Sequence, residues 1–299
     1  DAVFVLNDAG RLARLDRGTG AVRWQQAIGG GAVVRHLPSA TEYSYDFVGP
    51  QPVLADGLLY VPAADGAVVA IDATTGDTRW RVAVGGLIRN TPLVTADRIV
   101  VGDWAGRITA LARTDGAKLW QVETGAPITA APVRLGHEVL ASSRNSKLYR
   151  LSLAEGRTTW ERFHAGSWVE SAPRIEGDEI FIGSSDLRTV RSLDPATGQD
   201  RWSTDVLGWT WGTPAVAGDT VFAGSAGATG YPISQDGGMV ALDRHTGAPK
   251  WRVTLPALAE RFITGIVGSP VVAGNLVLFA SQDGVLYALP AQTGSDAGK

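Results

Sequence analysis

The chain has no cysteine, a single methionine and no long apolar run among its 299 residues. The absence of cysteine excludes disulfides, cysteine-ligated zinc or iron–sulfur sites and a cysteine nucleophile. No apolar stretch reaches the roughly 18–20 residues of a membrane-spanning helix, so we expect no membrane span within this sequence. The formal net charge is −3 and there is no basic block. This argues against a nucleic-acid partner, because phosphates demand a dense positive surface.

The start of the sequence bears on whether a leader or a longer protein is involved. The sequence begins at Asp1, inside a predicted strand, and its single methionine is Met239. The sequence contains no charged segment followed by an apolar one, which is the pattern of a secretory signal. We therefore expect that a leader has been removed or that this chain belongs to something longer, and a membrane anchor would then lie outside it.

A tryptophan recurs at one fixed place in a repeated pattern, each time four residues after a glycine. The window AIDATTGDTRW, which ends at Trp80, shows the pattern Ala-x-Asp-x-x-Thr-Gly-x-x-x-Trp. The repeat tryptophans are Trp24, Trp80, Trp120, Trp160, Trp202 and Trp251. A seventh window ends at Gly298, where the tryptophan should be. One indole per repeat indicates packing between neighbouring repeats, where burial is worth a few kcal/mol.

Each repeat reads as four short antiparallel strands, which we call A to D in chain order. A proline-led segment, a tight turn, an alternating apolar run and the tryptophan strand follow one another in about 40 residues, as in a propeller blade. The sequence thus predicts an all-β fold, a seven-bladed β-propeller of four-stranded antiparallel blades forming a single domain over 1–299. The first repeat lacks strand A and the last lacks strand D. The approximate repeats are 1–30, 49–86, 87–126, 127–167, 168–208, 209–258 and 259–299, with insertions at 31–48 and 224–237.

The loops at one end of the blades carry the irregular sequence. In such a blade the B→C and D→A loops lie at the same end, here called the insertion end because both insertions fall there. Long irregular loops are where binding residues usually lie. Aromatics mixed with Arg and Asn suit either a small planar ligand or a protein segment. The predicted ligand- or partner-binding residues are Tyr43, Tyr45, Asp46, Arg89, Asn90, Trp104, Arg144, Asn145, Trp168, Glu170, Trp209, Trp211 and Arg261.

Motifs for catalysis or metal binding are missing from the sequence. No GxSxG, HExxH or GxGxxG motif occurs. The four histidines fall in different parts of the chain, which argues against a shared metal site. They are His36, His137, His164 and His245. The sequence therefore predicts no catalytic residue and no metal site.

The repeat pattern resembles the tryptophan-docking motif of the PQQ-repeat β-propellers. That family holds the quinoprotein dehydrogenases and the non-catalytic outer-membrane assembly lipoprotein BamB. The resemblance covers essentially the whole chain and weakens where Ala112, Ser152 or Pro290 replaces the repeat aspartate. It implies a non-catalytic binding module of the cell envelope. Two versions stay open: a scaffold that binds a strand or loop of another protein, and the sensory domain of a larger receptor or kinase, with PQQ as its ligand.

The resemblance also implies an alternative function, a PQQ-dependent quinoprotein dehydrogenase. The larger members use an eight-bladed ring and an adjacent-cysteine disulfide against the quinone, whereas this sequence has seven repeats and no cysteine. Acids at the insertion end are dispersed along the chain, and Asp103 and Glu170 are the candidates for holding a calcium ion.

Overall fold

A computed structural model describes residues 2–29, 49–228, 235–258 and 262–294, and every regular element in these residues is a β-strand. The strands form seven sheets, each built mainly of strands consecutive along the chain. The all-β class and the seven blades predicted from the repeats are confirmed. Across the described part of the chain, no helix is long and apolar enough to cross a membrane.

The described residues divide into two compact units. The first unit contains residues 2–29, 49–143 and 151–157, and the second contains residues 144–150 and the described residues from 158 onward. The first three sheets belong wholly to the first unit. Their strands are β1 (Ala2–Leu6), β2 (Arg11–Asp16) and β3 (Val22–Ala27); β4 (Val53–Ala55), β5 (Leu58–Pro62), β6 (Ala67–Asp72) and β7 (Thr78–Ala83); and β8 (Leu93–Val94), β9 (Arg98–Gly102), β10 (Arg107–Ala112) and β11 (Lys118–Glu123).

The remaining four sheets follow the same order. The fourth sheet consists of β12 (Val133–Leu135), β13 (Glu138–Ser143), β14 (Lys147–Ser152) and β15 (Thr158–Phe163). The second unit then holds β16 (Arg174–Glu176), β17 (Glu179–Gly183), β18 (Thr189–Leu193) and β19 (Asp200–Asp205); β20 (Ala215–Ala217), β21 (Thr220–Ala228), β22 (Gly238–Asp243) and β23 (Pro249–Thr254); β24 (Ile263–Gly265); and β25 (Val271–Ala273), β26 (Leu276–Ala280) and β27 (Leu286–Pro290). Among the residues that the structure describes, the first and last sheets have three strands, in agreement with the strands A and D missing from the repeats.

The sixth sheet differs from the predicted repeat. β21 continues to Ala228, so the first residues of the predicted insertion 224–237 are strand rather than loop. β22 pairs with β21 only as far as Ser225, and β24 pairs with the rest, with Ala226 opposite Gly265. The long strand needs this second partner because buried backbone N–H and C=O groups must be hydrogen-bonded.

The repeat aspartate closes the turn between strands C and D. In the second sheet, Asp72 accepts hydrogen bonds from the backbone N–H groups of Thr74 and Thr75 and from the Arg79 guanidinium, at 2.7–3.0 Å. The Arg79 hydrogen bond, followed by that from Thr75, lowers the pKa of Asp72 to about 2. Gly76 ends the turn at a φ of 85°, where a side chain would be strained. Asp16, Asp194 and Asp243 accept equivalent backbone bonds in their own turns.

Each repeat tryptophan reaches from its own strand D to the turn of the next sheet. The Trp80 indole N–H donates to the Arg113 carbonyl over 3.2 Å. A Cβ added at Gly116 of that turn would lie 2.8 Å from the Trp80 ring, so glycine is required where the indole packs. The other donor and acceptor pairs are Trp24 and Ala73, Trp120 and Leu153, Trp160 and Pro195, Trp202 and Arg244, and Trp251 and Ala291.

Candidate functional site

Arg144 and Glu170 form a buried ion pair beside Trp168 in the second unit. Arg144 lies in the B→C loop after β13, and Glu170 lies in the D→A loop after β15. The Arg144 Nε donates to Glu170 Oε1, and the two side chains are only 6% and 10% exposed. The guanidinium carbon lies 4.7 Å from the centroid of the Trp168 ring, within the range of a cation–π contact. Three predicted residues from two loops are therefore in contact, and the charge of Arg144 is compensated by Glu170.

Trp209 and Trp211 stack on one another between β19 and β20. Their ring centroids are 4.9 Å apart and the rings are inclined by 10°. This is the arrangement expected for residues spaced by two in an extended segment, whose side chains point to the same side. Trp209 is 2% exposed, whereas Trp211 is partly exposed. Trp209 therefore belongs to the core, and of the two rings only Trp211 retains exposed surface.

The B→C loop between β17 and β18 connects the two groups. The Ser185 backbone N–H donates to the Trp168 carbonyl over 3.0 Å, and the Ser185 hydroxyl accepts from the Trp211 indole N–H over 3.2 Å. Asp186 accepts from the Trp209 indole N–H over 2.8 Å. Trp168 and Trp211 are thus bridged through one serine at the insertion end of the fifth and sixth sheets. We name the group Arg144, Trp168, Glu170, Ser185, Trp209 and Trp211 the aromatic cluster.

Asn145 is oriented by the turn in which it lies. Its amide nitrogen donates to the Tyr149 hydroxyl over 2.6 Å, and its amide oxygen accepts from the Lys147 backbone N–H over 3.1 Å. These bonds join Asn145 to the start of β14, and they give the side chain a role in shaping the B→C turn.

Arg89 lines a separate cavity in the first unit. It lies in the D→A loop between β7 and β8 and is 3% exposed. Its Nη2 atom lies 4.0 Å from the carboxylate of Asp8, which belongs to the B→C loop between β1 and β2. The cavity has a volume of about 220 Å³. Its walls include Leu6, Ile28, Pro50, Gln51, Pro62 and Ile88.

Asn90 and Asp103 are structural in the first unit. Asn90 is fully buried, and its amide binds the carbonyls of Gly102 and Ile128 at 2.8 and 2.9 Å. Asp103 is 1% exposed and accepts from both the backbone and the side chain of Arg107, at 2.9 and 2.8 Å. In the next position along the chain, Trp104 is partly exposed. Of these predicted residues, only Trp104 retains exposed surface.

Some predicted residues lie outside the described part of the chain, and some residues beside the aromatic cluster or the Arg89 cavity were not predicted. Tyr43, Tyr45, Asp46 and Arg261 lie outside the described residues. Asp8, Ser185 and Asp186 were not among the predicted residues, although they lie in B→C loops of similar length to those of Trp104 and Arg144. Their position at the insertion end was the one available signal. Within the described residues, no group of three or more His, Asp or Glu side chains could hold a metal ion.

A known protein family matches most of the chain. The model of the family described as outer membrane protein assembly factor BamB matches residues 8–188 and 187–297. The chain belongs to this family. Membership agrees with the resemblance carried by the tryptophan repeat, and it identifies the seven sheets as propeller blades.

Solved structures support the same fold. BamB from Moraxella catarrhalis is similar at a TM-score of 0.75 and 21% identity, over 98% of this chain and 83% of that one. A europium-containing methanol dehydrogenase is similar at a TM-score of 0.77 and 15% identity, over 98% of this chain and 75% of that one. At these identities the likeness establishes the propeller fold, which binding proteins and enzymes share.

A curated relative matches part of the chain. The serine/threonine-protein kinase AfsK of Streptomyces griseus is 30% identical over 129 residues, covering 31% of this chain. The match spans 16% of the kinase's own length.

Proposed function

We propose that this chain is a non-catalytic binding module that recognises an extended segment of another protein at the aromatic cluster. The observation that carries the proposal is the Arg144–Glu170 ion pair beside Trp168. Because the arginine charge is already compensated, the cluster offers indole surface and hydrogen-bonding groups rather than a free positive charge. Partly exposed tryptophan side chains such as Trp168 and Trp211 are among the usual anchors of protein interfaces.

A planar carboxylate ligand such as PQQ is less well matched by these residues. The two predicted arginines that the structure describes both lie beside carboxylates, Arg144 at Glu170 and Arg89 at Asp8. At Arg144 an anionic ligand would have to displace Glu170, which is 10% exposed and already compensates the guanidinium, and breaking such a buried pair is costly. Arg89 lies 4.0 Å from Asp8, whose side chain is 50% exposed, so this argument applies less strongly there. Stacking on Trp168 or Trp211 would be the remaining attraction. This balance favours a protein segment.

The dehydrogenase alternative meets a similar difficulty. Asp103 and Glu170 are the candidate calcium ligands, and each is paired with an arginine, Arg107 or Arg144. A calcium ion needs six to eight oxygen ligands, mostly carboxylates and carbonyls. It would compete with a guanidinium at each of these acids, so neither residue is suited to hold it.

The cell envelope is the proposed location, supported by membership of the BamB family. A second candidate is the sensory part of a larger receptor kinase, favoured by the partial match to AfsK. Both versions use the propeller as a recognition module and differ in what is attached to it. The full-length open reading frame distinguishes them: a lipobox leader supports the scaffold, and a kinase domain with a membrane span supports the sensor.

A photo-crosslinking experiment tests the proposed surface. Benzoylphenylalanine is placed at position 211 in one variant and at position 245 in a control, because His245 lies exposed in the C→D turn at the other end of its sheet. In the native host, we expect a discrete protein adduct from position 211 and none from position 245. Adducts only from position 245 would contradict the proposed surface. In parallel, PQQ is titrated while tryptophan fluorescence is followed, and saturable one-to-one quenching would favour the small-ligand version.

A further inference from the structure

An arginine side chain lies in each of five grooves between neighbouring sheets, at the end of the sheets where the A→B and C→D turns lie. In three grooves the arginine comes from the earlier sheet and donates to carbonyls in the C→D turn of the next sheet. These donors and acceptors are Arg14 and Thr74, Arg98 and Leu153 with Ala154, and Arg150 and Pro195 with Ala196. In the other two grooves the arginine belongs to the C→D turn itself, as Arg113 and Arg244. Such grooves are therefore suited to hold a guanidinium group.

The two turn arginines reach back to an aromatic ring of the preceding sheet. The guanidinium carbon of Arg113 lies 5.5 Å from the centroid of the Tyr60 ring, and its Nε donates to the Tyr60 hydroxyl over 2.8 Å. The guanidinium carbon of Arg244 lies 5.9 Å from the centroid of the Phe181 ring. Both distances are within the range of a cation–π contact. The ring and the guanidinium thus form one unit in these grooves.

The groove between the sixth and seventh sheets keeps the ring but has small side chains where the arginines would be. Phe222 is the third residue of its strand B, as are the rings of the two grooves above. Ala291 stands where the turn arginines stand, because its carbonyl accepts the Trp251 indole N–H over 3.0 Å as theirs accept from other repeat tryptophans. The strand positions that supply the other three arginines hold Thr220 and Ala241 here.

A cavity of about 460 Å³ occupies this groove. Its walls include Ala217, Phe222, Val272 and Ala291, and no arginine is among the described residues that line it. All of its lining residues belong to the second unit. Small-molecule pockets have volumes of roughly 300–1,000 Å³. The groove without an arginine therefore has room for a bound molecule.

The turn carbonyls beside the cavity can accept a guanidinium as well as an indole. The Leu153 carbonyl shows this in the fourth sheet, since it accepts both from the Trp120 indole N–H over 3.0 Å and from Arg98. A carbonyl oxygen has two lone pairs for such a double role. Ala291 and Gln292 present the equivalent carbonyls in the seventh sheet, and both residues line the cavity.

We propose that this cavity binds a small molecule that carries a guanidinium group. The group donates to the carbonyls of Ala291 and Gln292 and lies towards the Phe222 ring, in the place that an arginine of the chain takes in the other five grooves. Lys250 also lines the cavity, and the Asp243 carboxylate 3.5 Å from its Nζ compensates its charge. The site is separate from the aromatic cluster, which lies at the insertion end.

Calorimetric titration with three matched probes tests the chemistry of the cavity. N-acetyl-arginine amide carries the guanidinium, N-acetyl-citrulline amide has nearly the same shape without the charge, and N-acetyl-lysine amide has the charge without the planar set of donors. We expect saturable one-to-one binding of the arginine probe alone. No binding of the arginine probe, or equal binding of all three probes, would overturn the proposal.

Ala291→Arg places a guanidinium of the chain itself in the cavity. We expect this variant to lose binding of the arginine probe and to have a higher thermal midpoint. His245→Arg is the matched control, because His245 lies exposed in the C→D turn of the sixth sheet and does not line the cavity. This control should keep the binding. Undiminished binding in folded Ala291→Arg would place the probe elsewhere and contradict the proposal.

Arg113→Ala is the converse variant and does not depend on how Ala291→Arg folds. It opens the groove between the second and third sheets beside Tyr60. The fold should tolerate the change, because the ion-pair partner of Arg113, Asp56, is 83% exposed. We expect two sites for the arginine probe in this variant instead of one. A single site would show that these grooves do not select a guanidinium, and the proposal would be wrong.

Discussion

The Trp120 indole N–H donates to the backbone carbonyl of Leu153 over 3.0 Å, with the tryptophan 8% exposed. The same ring lies against Gly156, where an added Cβ would approach within 2.7 Å. One side chain thus contributes buried apolar area, a hydrogen bond and a steric requirement for glycine in the following repeat.

We predict that Trp120→Ala lowers the free energy of unfolding by about 3–5 kcal/mol, the usual cost of emptying a large buried site. Denaturant unfolding followed by circular dichroism measures the change. Leu119→Ala is the control, since Leu119 is adjacent and 47% exposed, and its effect should stay below about 1 kcal/mol. If the two substitutions had equal effects, burial of the Trp120 indole between repeats would not be what stabilises the fold at this position.

The ion pair of the aromatic cluster gives a second prediction. Glu170→Gln removes the charge that compensates the buried Arg144 guanidinium, and we expect a loss of about 3 kcal/mol of stability. Arg144→Met/Glu170→Gln should be more stable than Glu170→Gln alone, because no buried charge is then left without its partner. A double-mutant cycle completed with Arg144→Met measures this coupling. If the effects of the two substitutions on the free energy of unfolding were additive, Arg144 and Glu170 would not be energetically coupled.

Buried His164 predicts a dependence of stability on pH. Its ring is fully buried, and burial, followed by the nearby Arg191 charge, lowers its pKa from 6.5 to about 3. Its backbone N–H donates to Ser146, as that of Val206 donates to Arg188 at the equivalent position of the next sheet. A neutral imidazole therefore stands where a neighbouring repeat has an apolar side chain.

Between about pH 3 and 6.5 the unfolded chain binds the His164 proton and the native state does not. The free energy of unfolding should therefore show no loss from His164 above about pH 6.5. It should fall as the pH drops towards 3, by up to about 2 kcal/mol between pH 7 and 5. Asp72, whose pKa is lowered from 3.8 to about 2, contributes only at more acidic pH. Urea unfolding at pH 7 and pH 5 measures the loss. His164→Val should remove most of it, and an unchanged loss in this variant would assign the effect to other groups.

Much of the fold was predictable because one tryptophan and one glycine mark each repeat. Trp80 and Gly76 fix the positions of strand D and the preceding turn, and the alternating runs then locate the other strands. The pairing of β24 with β21 was not predictable, because Ile263–Gly265 is too short for a periodic pattern and pairs with a strand distant in sequence. The burial of Trp209 could not be predicted either. A spacing of two residues places Trp209 and Trp211 on the same side of an extended segment, but it does not show which of the two rings is buried.

The enzymatic alternative gives a further prediction. With PQQ and calcium added, we expect no dye-linked oxidation of alcohols or sugars, because Asp103 and Glu170 are both engaged by arginines. A turnover above about 1 s⁻¹, an ordinary enzymatic rate, would contradict the non-catalytic proposal. Stoichiometric PQQ binding without turnover would instead support the sensory version.

The two stacked tryptophans should respond differently to truncation. Trp209 is 2% exposed, donates to Asp186 and forms a backbone bridge with Ala226, so Trp209→Ala should cost about 3–5 kcal/mol of stability. Trp211 is partly exposed, and Trp211→Ala should cost less than half as much. Denaturant unfolding of both variants measures the difference, and His245→Ala, at an exposed turn of the same unit, should change little. If Trp211→Ala proved the more destabilising change, Trp211 would be the core residue of the pair, and the aromatic cluster would lose the side chain assigned to contact a partner.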